Sequence, residues 1–371
     1  MKISIAKEQL LAGLQAVQNI VSSRTTLPIL SNVLLHAVGK ELVLTTTDLD
    51  ITISCGVEAI VKKGGSVTLP VKKLFGIVRE LTTPEIDLEV DEKGICSIRA
   101  GVSFFKIHGL SADEFPPLPK FAEKKEITLD QGTLRSILRK TSYAVSTEEA
   151  RYVLNGIYFC LGDQRITGVA TDGRRLALVD EESEVAEESK GEFIVPTKAI
   201  NELNRLLGSE GKVELRYTDN QASFTLSGNG EASVFLMTKL IDGNYPNYRQ
   251  VIPGENKERK RIALEREEFL RALRRAEIMA SEKASSVKLQ ITKNNVLITA
   301  NTPDVGEARE SIAINYDGNE IAVAFNPQYV MDPLKVLEED EVFLELSDEL
   351  SPGVLKVNGP FLYVIMPMRM S

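Results

Sequence analysis

Residues 126–141 read EITLDQGTLRSILRKT. Apolar side chains alternate at Ile127 and Leu129, then fall at Leu134, Ile137 and Leu138. The first spacing belongs to a strand and the second to one face of a helix. The same order occurs twice more, in KISIAKEQLLAGLQAV (2–17) and RIALEREEFLRALRRA (261–276). A second helical stretch follows each copy: PVKKLFGIVREL from Pro70, PTKAINELNRLL from Pro196 and NPQYVMDPLKVL from Asn326. Pro70, Pro196 and Pro327 lie 67, 69 and 65 residues after Ile3, Ile127 and Ile262. Proline suits the first turn of a helix, where a backbone N–H has no intrahelical partner. Between the helices lie strands with a polar hinge, and Asp48, Asp172 and Asp304 sit 45, 45 and 42 residues after the same three isoleucines. Such self-similarity predicts a repeated domain. Three are expected, at 1–122, 123–253 and 254–371, with Pro-rich joins FPPLPKF (115–121) and YPNYRQVIPGENK (245–257). Each would hold two helices and several mostly antiparallel strands, an α+β plan.

Bulk properties agree with this division. A chain of 371 residues exceeds one ordinary core. Its 43% hydrophobic and 26% charged content is that of a globular protein. No apolar run is long enough for a membrane span, and the start MKISIAKEQLLAGLQ lacks the apolar core of a signal peptide. Cys55, Cys96 and Cys160 lie far apart in apolar, strand-like runs. They read as buried reduced thiols in a cytoplasmic protein.

The net charge of −9 argues against a nucleic-acid partner until it is divided. The six helical stretches sum to +5, which leaves −14 for the rest. Arg271, Arg274 and Arg275 share a helix face opposite Phe269, Leu270 and Leu273. Lys72 and Arg79, Lys198 and Arg205, and Arg135 and Arg139 are likewise aligned. For any single helix a solvated face explains this. Recurrence through a threefold repeat in an otherwise acidic chain points instead to a basic surface that holds a polyanion through its phosphates.

Catalysis finds little support. His36 and His108 are the only histidines, and no zinc spacing, Walker loop, dinucleotide fingerprint or nucleophile elbow occurs. A metal-dependent nuclease could be imagined on Asp48, Asp50 and Asp172. Corresponding places in separate repeats make Asp48 and Asp172 turn formers instead. A non-enzyme without metal or cofactor is expected.

Five stretches carry a family resemblance: RTTLPILSNVLL (24–35), RYVLNGIYF (151–159), VATDGRRLAL (169–178), IDGNYPNYRQVIP (241–253) and YVIMPMR (363–369). Together they resemble the bacterial sliding clamp, the β subunit of DNA polymerase III, in matching order along the whole chain. The resemblance implies a closed head-to-tail homodimer of three-domain subunits, with helices lining a central hole and sheets outside. Double-stranded DNA would thread the hole, and the ring would hold the replicative polymerase on its template. It also implies opening by a clamp loader ATPase and docking of other replication and repair proteins through short linear peptides.

Site residues follow by motif. DNA contact would fall to Arg24, Lys72, Tyr152 and Lys198. The dimer contact would set Phe105 and Ile107 against Ile278 and Met279. The peptide pocket would take Arg151, Leu154, Asn155, Thr171, Gly173, Arg174, Arg175 and Leu176. To these it adds Pro246, Gln250, Val251, Asn326 and Tyr329, and, from the tail, Val364, Ile365, Met366, Pro367, Met368 and Arg369. Arg174 replaces a histidine common in relatives, and Gln250 replaces an arginine found in some. In the tail, Phe361 to Ile365 read as a last strand that Pro367 stops. Met366 and Met368 then offer a deformable apolar wall.

Overall fold

The structure, a computed structural model, describes residues 1–21, 27–117, 125–228, 233–254, 259–280, 286–302 and 305–369. Six α-helices occur among them: α1 (Lys7–Val17), α2 (Val71–Glu80), α3 (Gln131–Thr141), α4 (Thr197–Leu206), α5 (Arg266–Glu277) and α6 (Pro327–Val336). All six coincide with the stretches expected from apolar spacing. Their buried faces follow from it too. Val71, Leu74 and Val78 line the inner face of α2, and Phe269, Leu270, Leu273 and Ala276 that of α5. Gly13 lets α1 lie close on its sheet, because a Cβ there would meet Leu44 Cδ1 at 2.9 Å.

The chain forms two compact units, and the central repeat contributes to both. One unit comprises Met1–Arg135, Ala186–Lys190 and Lys198–Leu240. It holds a five-stranded sheet in the order Ile60–Lys63, Lys2–Ala6, Glu85–Val90, Ile95–Ala100, Ser103–His108. Its second sheet has eight strands, in the order Lys125–Asp130, Lys212–Tyr217, Gln221–Ser227, Val234–Lys239, Ile51–Glu58, Glu41–Thr47, Asn32–Val38, Gly65–Pro70. The join is antiparallel, with Phe235 opposite Ser54 and Thr238 opposite Ile51. A single sheet therefore crosses from the first repeat into the second.

The other unit comprises Ser136–Val185, Gly191–Thr197 and Ile241–Ser371. Its eight-stranded sheet runs Gly191–Pro196, Gly156–Gly162, Arg165–Thr171, Arg175–Glu182, Phe361–Ile365, Gly353–Lys356, Glu341–Leu346, Lys260–Glu265. Here Arg175 lies opposite Ile365 and Val179 opposite Phe361. A four-stranded sheet completes the unit, in the order Gly306–Ala313, Asn295–Thr302, Val287–Thr292, Ile321–Phe325. Both joins use the strand that follows the Asp hinge of one repeat and the last strand of the next.

Cys55 and Cys96 are buried, and burial pushes their thiols up to about 11 and about 12. Cys160 is partly buried and its thiol is also raised by desolvation. Among the described residues no helix is long and apolar enough to cross a membrane. Nor do any three His, Cys, Asp or Glu side chains among them gather as metal ligands.

Candidate functional site

The Asp hinge of the second repeat is a side-chain-built turn. Asp172 Oδ1 accepts from the backbone N–H of Arg174 (2.9 Å) and Arg175 (3.1 Å). Asp48 does the same for Asp50 (3.0 Å) and Ile51 (2.8 Å). Both aspartates thus serve as turn formers. Thr171 Oγ1 donates to the Arg175 carbonyl at 2.6 Å and accepts from the Gly173 N–H at 3.1 Å. Gly173 has φ +85°. Arg151 covers the turn, with Nη1 donating to the Asp172 carbonyl at 3.0 Å.

Arg174 is exposed and hydrogen-bonds to Tyr329, whereas the Arg175 side chain is only 10% exposed. Its Nε donates to Asp172 Oδ2 (3.0 Å), Nη1 to Asp332 Oδ2 (2.5 Å) and Nη2 to the Tyr143 carbonyl (2.5 Å). The guanidinium also lies 4.4 Å from the centroid of the Tyr329 ring. Burial alone would lower its pKa; Tyr363, Asp332 and Asp172 outweigh that and raise it above the ordinary arginine value.

Helix α6 contains a proline, Pro333, four residues after Tyr329. Proline has no N–H, so the Tyr329 carbonyl loses its intrahelical donor. The hydroxyl of Tyr363 replaces it, donating to that carbonyl at 2.8 Å. The last strand is thereby tied to α6. Asn326 caps α6, accepting from the Gln328 N–H at 2.9 Å. Its side chain is therefore engaged in the helix start.

An apolar floor lies beside the turn. Tyr158, Val169, Leu176, Ile194, Tyr248 and Val364 form one buried cluster, with Val153, Ile241, Tyr245 and Leu362 packed around it. Tyr158 stacks on Tyr245 with centroids 4.9 Å apart and tilts against Tyr248 at 5.8 Å. Leu176 and Val364 were expected at this site from the sequence, and the three tyrosines were not. Their signal was Tyr245 and Tyr248, three residues apart in NYPNY (244–248). Pro246, Gln250 and Val251 flank Tyr248 on the exposed side, and Leu154 is buried. Asn155 accepts from Thr197 through its backbone carbonyl, from N–H at 3.0 Å and Oγ1 at 2.6 Å.

The tail runs along this site. Val364 and Ile365 are buried strand residues, while Met366 and Met368 are 41% and 36% exposed. Pro367 is half-buried and Arg369 exposed. The Met366 N–H donates to the Arg174 carbonyl (2.9 Å) and the Met368 N–H to that of Ala324 (2.8 Å). The methionines are thus held at their backbone and partly exposed at their side chains.

The basic helices are less uniform than their sequences suggest. Lys198 is exposed but ion-paired with Asp48. Arg205 donates to the carbonyls of Gln15 (3.0 Å) and Ala16 (2.6 Å) at the end of α1. Arg139 pairs with Glu338 at 3.1 Å and Lys140 with Glu339 at 3.3 Å. Arg271 pairs with Glu267 and Arg275 with Glu310. Among the described residues no ion pair reaches Lys72, Lys73, Arg135 or Arg274. Tyr152 is 58% exposed on the short helical stretch Glu149–Leu154. Arg24 lies outside the described residues.

Of the expected dimer residues, Phe105 is 38% and Ile278 76% exposed, whereas Ile107 at 9% belongs to its own core. Phe104, at 51%, is exposed beside Phe105 and was not foreseen. Met279 is half-buried, its carbonyl accepting from Thr302 Oγ1 at 2.7 Å.

Comparison with known proteins follows the repeats. Models of the DNA polymerase III beta subunit match in three parts: N-terminal domain on residues 1–119, central domain on 128–247 and C-terminal domain on 249–369. The Beta sliding clamp of Chlamydia muridarum is 35% identical over 370 residues, covering 100% of this chain and 99% of that protein. The crystal structure of the DNA polymerase III subunit beta from Pseudomonas aeruginosa superposes with a TM-score of 0.93 at 32% identity, covering 100% of both chains. A sliding clamp from Bartonella birtlesii, bound to griselimycin, gives 0.92 at 35%, also over 100% of both chains.

Proposed function

Because the chain belongs to the bacterial sliding clamp family, the non-catalytic β subunit of DNA polymerase III, we propose that two copies close head to tail into a ring around duplex DNA. The repeated sheet join carries this reading. Within each unit, the strand after an Asp hinge pairs with the last strand of the following repeat. That rule leaves over Gly306–Ala313, which follows the position of Asp304, itself outside the described residues, and Ser103–His108, which ends the first repeat. Both are edges of their sheets. A second copy supplies the missing partner for each, and two such heterologous contacts close a ring. Exposed Phe104, Phe105 and Lys106 lie on one edge; the other carries exposed Glu307 and Arg309, paired with each other, and the half-buried Glu310.

The expected mass in solution is twice 40.9 kDa. Phe105→Asp is expected to give a folded monomer by sedimentation. A dimer that persists through that change argues against closure by these edges.

Function then follows from topology. Sequence-blind phosphate contacts let the ring slide, and closure prevents its loss. Holding the polymerase raises its effective concentration at the primer end. A clamp loader opens the ring, in the cytoplasm where replication runs.

Clients dock as short peptides whose apolar anchors rest on the tyrosine floor. Met366 and Met368 adapt to each, since thioether side chains fill irregular gaps at little cost. Deleting residues 366–371 is expected to abolish binding of griselimycin while the mass stays that of a dimer. Unchanged affinity would place the docking site elsewhere.

A further inference from the structure

Arg175 stands among the residues assigned to peptide contact, yet its surroundings describe a different role. All three of its nitrogens are engaged within the protein, and its side chain is 10% exposed. The partner that ties it to another element is Asp332, whose side chain is 13% exposed. Asp332 Oδ2 accepts from Arg175, while Oδ1 accepts from Gln328 Nε2 and from Lys335 Nζ at 3.1 Å. Both oxygens are thus engaged within the protein.

We propose that Arg175 and Asp332 are a positioning pair that sets the shape of the peptide pocket without touching the peptide. This rests on the docking reading given above. Asp332 lies three residues beyond Tyr329 on α6, so a bond at Asp332 fixes the rotation of that helix about its axis. The same guanidinium lies against the Tyr329 ring and orients it. The carbonyl of Tyr329 is held from the other direction by the Tyr363 hydroxyl. On the turn, the Arg175 carbonyl accepts from Thr171, and its neighbour Arg174 holds Met366 by the backbone. One side chain thereby connects the hinge turn to the α6 wall, and the backbone of the same turn holds the methionine tail.

Charge balance makes the pair separable from folding. Arg175 is paired with two aspartates, so Asp332→Asn still leaves it neutralised by Asp172 and leaves an amide oxygen to accept its bond. What weakens is the link to α6, not the burial of an unpaired cation.

The test uses the full-length dimer and griselimycin, the ligand bound by the Bartonella birtlesii relative. Titration calorimetry on wild type, Asp332→Asn, Tyr329→Ala and the double variant is combined with unfolding midpoints. Asp332→Asn is expected to weaken binding about tenfold, the size of coupling seen inside one contact network. In the Tyr329→Ala background it should add little, because its effect passes through that ring. Tyr363→Phe removes only the hydroxyl on the Tyr329 carbonyl, and it should show the same dependence on background. It keeps the test available if Asp332→Asn fails to fold. Binding by Asp332→Asn within twofold of wild type overturns the proposal. So does an equal loss in both backgrounds, which marks a general structural role. If wild type binds no griselimycin, the docking reading falls, and this proposal with it.

Discussion

Gly173 and Leu49 occupy the same place in two copies of the repeat, each directly after a turn-forming aspartate. Their backbones agree, with φ of +85° and +79°. Glycine adopts that region freely, while a bulky residue there is strained by roughly 1–2 kcal/mol. Leucine at 49 bears this cost and remains 48% exposed. Substitutions should therefore differ in cost. Gly173→Ala is expected to lose about 1–2 kcal/mol of unfolding free energy in urea. Its Cβ would also stand 2.7 Å from Arg151 Nη1, forcing that side chain off the Asp172 carbonyl. Leu49→Gly should stay within about 1 kcal/mol of wild type, because strain relief offsets the greater freedom of glycine in the unfolded chain. A large loss at Leu49 and none at Gly173 would contradict this account of the two turns.

The helices show which parts of the molecule were legible in the sequence. Apolar spacing located all six, since a buried helix face depends on residues three and four apart. Charge did not transfer so simply. Lys198, Arg139 and Arg205 belong to the basic sequence pattern, but each meets a partner 150–199 residues away. No local pattern reveals a partner at that distance. The tyrosine floor was missed for the same reason, as Tyr158 meets Tyr245 and Tyr248 only through the fold. Arg205 is better described as a cap, a cation on the carbonyl end of α1. Exposed pairs such as Arg139 with Glu338 contribute little stability. Lys72 and Arg274, free of ion pairs among the described residues, are the better candidates for phosphate contact. Replacing both with Gln should flatten the dependence of log K on log salt by about 0.9 for each charge removed. Lys198→Gln should change it less, because Asp48 already shares that charge. An unchanged slope for the double variant and a steep change for Lys198 would reverse the assignment.

At the scale of the whole molecule, the hinge strand and the last strand of successive repeats pair twice within the chain and leave one of each over. The repeat itself was readable from 126–141 and its two relatives. The pairing between repeats was not, because sheet register is set by strands far apart in sequence. Ring closure is the central claim, and topology separates it from ordinary affinity. The clamp is loaded by its loader onto nicked circular DNA, the salt is raised to screen phosphate contacts, and the circle is cut once. Retention on the circle and prompt loss from the linear product are predicted. Equal retention on both forms would contradict an encircling ring.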